Sequence, residues 1–374
     1  MNMKKHRFRI LAAGIAAMVF FSGCSGGRSF EDIDESDAVL QHDDTAEGDE
    51  EAVLNWTNTI TELVDGLSAV LYEGDYGFQE FLAQGGAATD GDVVQFLTRN
   101  VILGADGLEL KSEAFGCSTI SAPTGNGSYL FGRNFDWNTC EALIVGSRPD
   151  QGYASVSTVN TDFIRQNAGG ITGLALRDEG ILTLASLYAP LDGMNEKGLA
   201  VSVNMIQDSD RIEQDTGRPD LTTTTAVRLL LNQAGDVEEA LQLLEQYDLH
   251  GSMGMMIHFA LADASGRSVV VEYIDNEMVV TETPAVTNFY LAEGEKYGIG
   301  TRQSHERYEI LMDRLDEQDI FTAEDVRDAL SSVSKQNFGE FESTEWSIVF
   351  DQETMETRYY HREDYTKHYT FSMP

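Results

Sequence analysis

The rhythm of apolar and polar positions changes three times along the chain. Ile10 to Phe21 form an apolar run of twelve residues, preceded by Lys4, Lys5, Arg7 and Arg9. A bilayer span needs about 20 such residues, so this run reads as a secretory signal over residues 1–24. Residues 25–52 begin small and then turn acidic, with eleven Asp or Glu from Glu31 to Glu51 and few apolar residues between them. That composition predicts an acidic, disordered linker. In 53–116, Leu54, Trp56, Ile60, Leu63, Val64, Leu67, Val70 and Leu71 recur at helical spacing. Phe78, Phe81 and Leu82 predict a second short helix ended by Gly85-Gly86. Asp90 is placed to cap a third, Gly91–Asn100. The segment therefore reads as a small helical module.

From residue 117 short β-prone runs dominate. Strands are predicted over Ser118–Ala122, Tyr129–Asn134, Leu143–Val145, Ala154–Val159, Ile181–Leu187, Leu199–Asn204, Met255–Leu261, Ser268–Tyr273, Met278–Thr281, Trp346–Phe350 and Thr357–His361. Helices are predicted over Thr223–Asn232, Val237–Tyr247 (capped by Asp236), Thr301–Leu315 and Thr322–Val333. No internal repeat is visible. Groups of strands separated by helices predict an α+β layered fold for 117–374.

Charge and cysteines narrow the setting. A net charge of −38 over 374 residues argues for a solvated acidic exterior and against nucleic acid as a partner. The apolar run ends in Phe21-Ser22-Gly23-Cys24, which resembles a bacterial lipobox with Phe21 where Leu is usual. Cys24 is the expected lipidation site. The mature protein is then exported and held on the outer face of a bacterial cytoplasmic membrane, touching it only through its N-terminal lipid anchor. After Cys24 only Cys117 and Cys140 remain, too few for a disulfide framework. A Cys117–Cys140 bridge is the structural alternative to a reactive thiol.

Cys117 opens a strand-like run, Gly125-Asn126-Gly127 makes a turn, and a second run delivers Arg133, Asn134 and Asp136. A thiol, a guanidinium and a carboxylate thus come to one end of a predicted hairpin, the raw material of nucleophilic amide hydrolysis. A lone buried Cys is more often inert packing, so the neighbours carry the reading. The seven His are scattered and none pairs with a Cys motif. An N-terminal cysteine needs none, because its own α-amine, with a reference pKa of about 7.7–8.0, serves as base. Asp136 would hold that amine, and Arg133 would stabilise the thiolate or position the carboxylate. There is no H-E-x-x-H, and G-x-S-x-G occurs at Gly23–Gly27, at the end of the signal segment and not between a strand and a helix, which argues against a metallohydrolase or a serine hydrolase.

Four motifs then resemble the choloylglycine hydrolase family and its relatives. These cysteine N-terminal-nucleophile amidases include bile salt hydrolases, penicillin V acylases, N-acylethanolamine acid amidase and acid ceramidase. The motifs are Cys117 followed by Gly132-Arg133-Asn134-Phe135-Asp136, Asp192–Leu199 (D-G-M-N-E-K-G-L), Val286-Thr287-Asn288, and Ser304-His305-Glu306-Arg307-Tyr308. Arg133 and Asp136 lie sixteen and nineteen residues after Cys117, as in the bile salt hydrolases. The resemblance implies a four-layer αββα core and a linear N-acyl amide substrate, cleaved through a thioester without metal or organic cofactor. It also implies that Asn288 and Asn204 serve the oxyanion and that Arg307 completes the electrostatic network. In the ceramidase-like branch the arginine sits closer to the T-N motif, which points to Arg302. Asn204 falls one residue early, so either a β-bulge absorbs the difference or Met205 offers its backbone N–H.

An α-amine base requires a cut at Gly116–Cys117. The expected course is self-processing, leaving residues before 117 as an N-terminal subunit like that of acid ceramidase. Two rivals stand beside this amidase. One is a non-enzymatic, unprocessed surface lipoprotein that binds acyl ligands. The other is an acyltransferase using the same thioester.

Overall fold

The computed structural model describes residues 50–101, 116–165, 176–336 and 342–374. The signal segment, Cys24 and the acidic linker up to residue 49 lie outside the described residues.

The first strands arise where apolar spacing predicts a helix. β1 (Glu50–Val53), β2 (Thr61–Val64) and β3 (Leu67–Glu73) precede two short helices, α1 (Phe78–Ala83) and α2 (Asp90–Phe96). Asp65-Gly66 joins Val64 to its partner Leu67 in a two-residue hairpin loop, with Gly66 at φ 83°. Asp-Gly is favoured in such turns because its residues accept positive φ. β3 runs through the interior with Leu67, Ala69, Val70 and Leu71 buried. A strand covered on both faces has no period-two alternation, so its apolar residues mimic a helical pattern. Among the described residues 50–101 there are therefore three strands, two short helices and a π-helical turn at Leu97–Val101, not a helical module. The last three residues assigned to the linker belong to β1. Thr89, not Asp90, caps α2: its hydroxyl accepts the Asp92 N–H at 3.1 Å.

The remaining elements follow in order. They are β4 (Gly116–Pro123), β5 (Tyr129–Trp137), β6 (Ala142–Arg148), β7 (Ser155–Asn160), α3 (Thr161–Arg165), α4 (Glu179–Ser186), β8 (Asp192–Asn195), β9 (Ala200–Met205) and β10 (Asp220–Thr222). Next come α5 (Thr223–Gln233), α6 (Val237–Leu244), β11 (Asp248–His250), β12 (Ile257–Ala262), β13 (Ser268–Ile274), β14 (Glu277–Glu282) and β15 (Ala285–Val286). The chain ends with α7 (Arg302–Glu317), α8 (Ala323–Ser332), β16 (Ser343–Asp351), β17 (Glu356–His361) and β18 (Lys367–Ser372). Of Ile181–Leu187, predicted as a strand, Ile181–Ser186 lie in α4 and Leu187 is its C-cap. Asp178 nucleates that helix by accepting the Ile181 N–H at 3.2 Å, a capping signal that outweighs the β-prone composition.

Seven strands form one sheet in the order β1-β18-β17-β16-β5-β4-β15, and nine form another, β14-β13-β12-β9-β8-β7-β6-β3-β2. Helices α7 and α8 cover the first, α4 and α5 cover the second, and β4 faces β9 between them. The result is a four-layer αββα arrangement. β1 pairs in parallel with β18, and β3 in parallel with β6, so both sheets use residues that precede Cys117. Glu47–Pro374 cluster as one unit, with no division at 116/117. Among the described residues no helix is long and apolar enough to cross a membrane.

Candidate active site

Cys117 is the second residue of β4, directly opposite Phe135 on β5. The hairpin closes through Thr124–Ser128, with Gly127 at φ 87°. Side chains alternate across a strand, and this splits the charged residues into two clusters. Cys117, Thr119, Arg133 and Phe135 face the second sheet. Ser118, Asn134 and Asp136 face α7 and α8. The two clusters meet at the main chain of Gly116 and Cys117.

On the inner face, Arg133 donates from Nη2 to the Val203 carbonyl at 2.9 Å and lies 3.4 Å from Cys117 Sγ. Its Nε donates to Ser202 Oγ at 2.6 Å, and its Nη1 forms an ion pair with Asp192. Asp192 also accepts from Trp346 Nε1 at 3.1 Å. Trp346 stacks on Phe135 with centroids 4.0 Å apart, and Phe135 lies under the Arg133 guanidinium at 5.3 Å. The guanidinium is thus held from every side. Cys117 Sγ is 3.5 Å from the Val203 carbonyl. Burial pushes its thiol pKa up to about 11; Arg133 and Arg307 pull it down, while Asp136 and Asp192 push it up. In the uncut chain the thiol is therefore held protonated.

On the outer face, Asp136 accepts from Thr344 Oγ1 at 2.7 Å and pairs with Arg307 Nη1 at 2.7 Å. Arg307 Nη2 donates to Ser118 Oγ at 3.0 Å. Lys335 Nζ lies 3.9 Å from Asp136 and 2.7 Å from Glu342. Gly116 sits inside this charged ring: a Cβ there would come within 2.6 Å of Lys335 Nζ and 2.9 Å of Asp136 Oδ2. Only glycine fits without displacing an ion pair.

Asn288 connects the hairpin to the second sheet. Its Oδ1 accepts the Cys117 backbone N–H at 2.9 Å, and its Nδ2 donates to the Met205 carbonyl at 2.7 Å. Asn204 accepts from Ser202 Oγ at 2.7 Å, while its Nδ2 is buried without a partner. β9 keeps unbroken register with β12 through Asn204 and Met205, so no bulge shifts this position. Arg302 is not brought to the cluster. Its side chain is 91% exposed and pairs with Glu306 one turn on; only Arg307, which points inward from α7, reaches Asp136. Cys140 is a free, buried thiol, as is Cys117; burial first, then Glu345, raises the Cys140 pKa. Sequence reasoning missed Asp192, Ser202, Trp346, Thr344 and Lys335. Asp192 opens the quoted D-G-M-N-E-K-G-L motif and was available as a signal; the others lie in no motif.

Two facing sheets between helical layers, with a cysteine at the start of a central strand, define the N-terminal-nucleophile hydrolase fold. The comparisons agree. The model of a family described as acyl-coenzyme A:6-aminopenicillanic acid acyl-transferase matches residues 183–364. A penicillin V acylase of Pectobacterium atrosepticum is 30% identical over 99 residues, 24% of this chain and 26% of that protein. The chain thus spans about a quarter of the length of this curated relative. A mutant of the conjugated bile acid hydrolase of Clostridium perfringens superposes with a TM-score of 0.51 at 18% identity, covering 69% of this chain and 92% of that one. A penicillin V acylase of Agrobacterium tumefaciens gives 0.49 at 20% identity, covering 66% and 83%. The resemblance carried by the four motifs is borne out, in sequence by the family model and the acylase, and in fold by the bile acid hydrolase. The matched family segment begins after Cys117, Arg133 and Asp136, so their assignment rests on motif and geometry.

Proposed function

We propose that this protein is a cysteine amidase that cuts its own Gly116–Cys117 bond and then hydrolyses linear, non-peptide N-acyl amides. The observation that carries the reading is the setting of Cys117. Its sulfur lies beside the Arg133 guanidinium, its backbone nitrogen lies on the Asn288 amide oxygen, and a ring of charge surrounds the preceding glycine.

In maturation, Cys117 Sγ attacks the Gly116 carbonyl carbon. The C–N bond breaks as the nitrogen takes a proton, leaving a thioester. Water then divides the thioester into the Gly116 carboxylate and the free thiol, and the Cys117 α-amine is released. That amine retains Asn288 Oδ1 as an acceptor, with Asp136 on the outer face as its anionic neighbour. In turnover the amine takes the thiol proton and the thiolate attacks the substrate carbonyl. The proton passes to the leaving amine as the C–N bond breaks, and water frees the acyl group as a carboxylic acid. The unpartnered Asn204 Nδ2 is the donor assigned to the developing oxyanion; such a donor contributes about 100- to 1,000-fold in rate. Substrates of the conjugated bile acid, N-acyl amide and penicillin V kinds fit this chemistry. The protein acts outside the cell, anchored through lipidated Cys24.

Acyl transfer is the second reading, favoured by the acyl-transferase description of the matching family model. Mass spectrometry of the purified protein, followed by turnover of the three substrate classes with and without added amines, tests the set. The expected result is a new N-terminus at Cys117 and release of free acid. An active, uncut chain would refute the maturation step. New amides in place of acid would favour transfer. A protein that turns over none of them would favour the non-enzymatic lipoprotein.

A further inference from the structure

His258 lies on β12, opposite Asn204 on β9, and is fully buried. Its Nε2 is 2.7 Å from the Thr287 carbonyl oxygen and its Nδ1 is 3.1 Å from Glu272 Oε1 on β13. A carbonyl only accepts, so Nε2 carries a hydrogen. Glu272 also receives the Leu291 N–H at 2.9 Å and the Ala292 N–H at 2.6 Å. Burial alone would raise the Glu272 pKa, but His258 and these two N–H groups outweigh it and hold the carboxyl below its usual value. The two ring nitrogens thus join the Thr287 carbonyl to the Glu272 carboxylate. Glu272 is the charged group placed against it; β9 presents neutral Asn204, and the Thr287 segment presents a carbonyl.

The pair belongs to the nine-stranded sheet, whereas Thr287 directly follows β15 of the seven-stranded sheet. His258 therefore grips the segment at Thr287, and Glu272 grips it at Leu291 and Ala292. Asn288 lies between these grips and spends both ends of its amide on Cys117 and Met205. We propose that His258 and Glu272 form a buried histidine–carboxylate clamp that positions Asn288 against the Cys117 nitrogen across the two sheets. Both are positioning residues, and their role in turnover rests on the amidase reading above.

The test uses the full-length, mature protein. His258→Leu and Glu272→Gln are expected to lower kcat about 100-fold, the cost of about 1 Å of misplacement, while KM stays nearly constant. His258→Gln, whose amide still donates to the Thr287 carbonyl, is expected to recover part of the loss. If His258→Leu fails to fold, His258→Gln and Glu272→Gln carry the same comparison. If the wild type turns over no amide, the amidase reading fails by itself. The clamp is then read from Cys117 alkylation by iodoacetamide, expected to slow about tenfold in the variants. Folded variants whose turnover and alkylation match the wild type would overturn the inference.

Discussion

Asp192→Asn separates the stability of the site from the reactivity of its thiol. Asp192 and Arg133 are both fully buried. The amide keeps an oxygen for Trp346 Nε1 but removes the charge facing the guanidinium. Breaking a buried ion pair from one side costs about 3–5 kcal/mol, because the remaining charge stays desolvated. Ser202, the Val203 carbonyl and the Phe135 ring still solvate Arg133 in part, which favours the lower end, about 3 kcal/mol. At about 2–4 °C per kcal/mol, a melting temperature lower by roughly 6–12 °C is expected. The thiol responds oppositely. Burial is the main reason the Cys117 pKa stands at about 11, and Asp192 adds to it while Arg133 opposes it. Without Asp192 the uncompensated guanidinium acts on the sulfur alone, so the pKa falls and alkylation shifts to lower pH. Scanning calorimetry and the pH profile of Cys117 alkylation in the uncut chain measure the two effects. The double change Arg133→Met with Asp192→Leu should regain much of the stability, since well-packed apolar groups often replace a buried pair at no loss. A variant as stable as the wild type, with its alkylation profile shifted upward, would refute the reasoning.

Gly116→Val should slow self-cleavage about tenfold or more, since relieving the overlap with Lys335 and Asp136 costs about 1–3 kcal/mol; the cut fraction over time, by mass spectrometry, reports it. Arg302→Ala should change stability by less than about 0.5 kcal/mol, as exposed substitutions do. Arg307→Ala leaves Asp136 buried without that partner and should cost about 3–5 kcal/mol; denaturant titration of both variants decides between the two arginines. Burial, with help from Arg362, lowers the His361 pKa to about 4. Between pH 6.5 and 4 the unfolded chain therefore binds a proton that the folded chain does not. Stability should fall across that window as pH drops, by up to about 3 kcal/mol, and His361→Gln should flatten the fall in urea titrations.

Asp236 was legible as the cap of α6, and α7 and α8 were legible as helices opening at Thr301 and Thr322, which prove to be their caps, each accepting a backbone N–H from the first turn. The β4–β5 hairpin was legible from its Gly-Asn-Gly turn. β3 was not, because burial on both faces erased its alternation, although Asp65-Gly66 marked the turn before it. Strand parity encodes a further feature. Arg133 and Asp136 are three residues apart, an odd interval that places them on opposite faces of β5, so they serve two clusters and not one. The choice between Arg302 and Arg307 depended on which side of α7 meets the sheet, which no local spacing encodes. His258 and Glu272 belong to no motif; only the pairing of β12 with β13 brings them together.

β1 and β3 give the proposed cut an unusual thermodynamic outcome. Residues ahead of Cys117 are hydrogen-bonded into both sheets, β1 along β18 and β3 along β6. Cleaving the Gly116–Cys117 bond would not separate the pieces, yet it would turn one cooperative folding unit into a heterodimer whose partners cannot complete their sheets alone. Before the cut, refolding is unimolecular and independent of dilution. After it, the two fragments must find each other, and recovery from denaturant depends on protein concentration. A single hydrolysed peptide bond would thus convert a renewable fold into one that, once lost at low concentration, does not return.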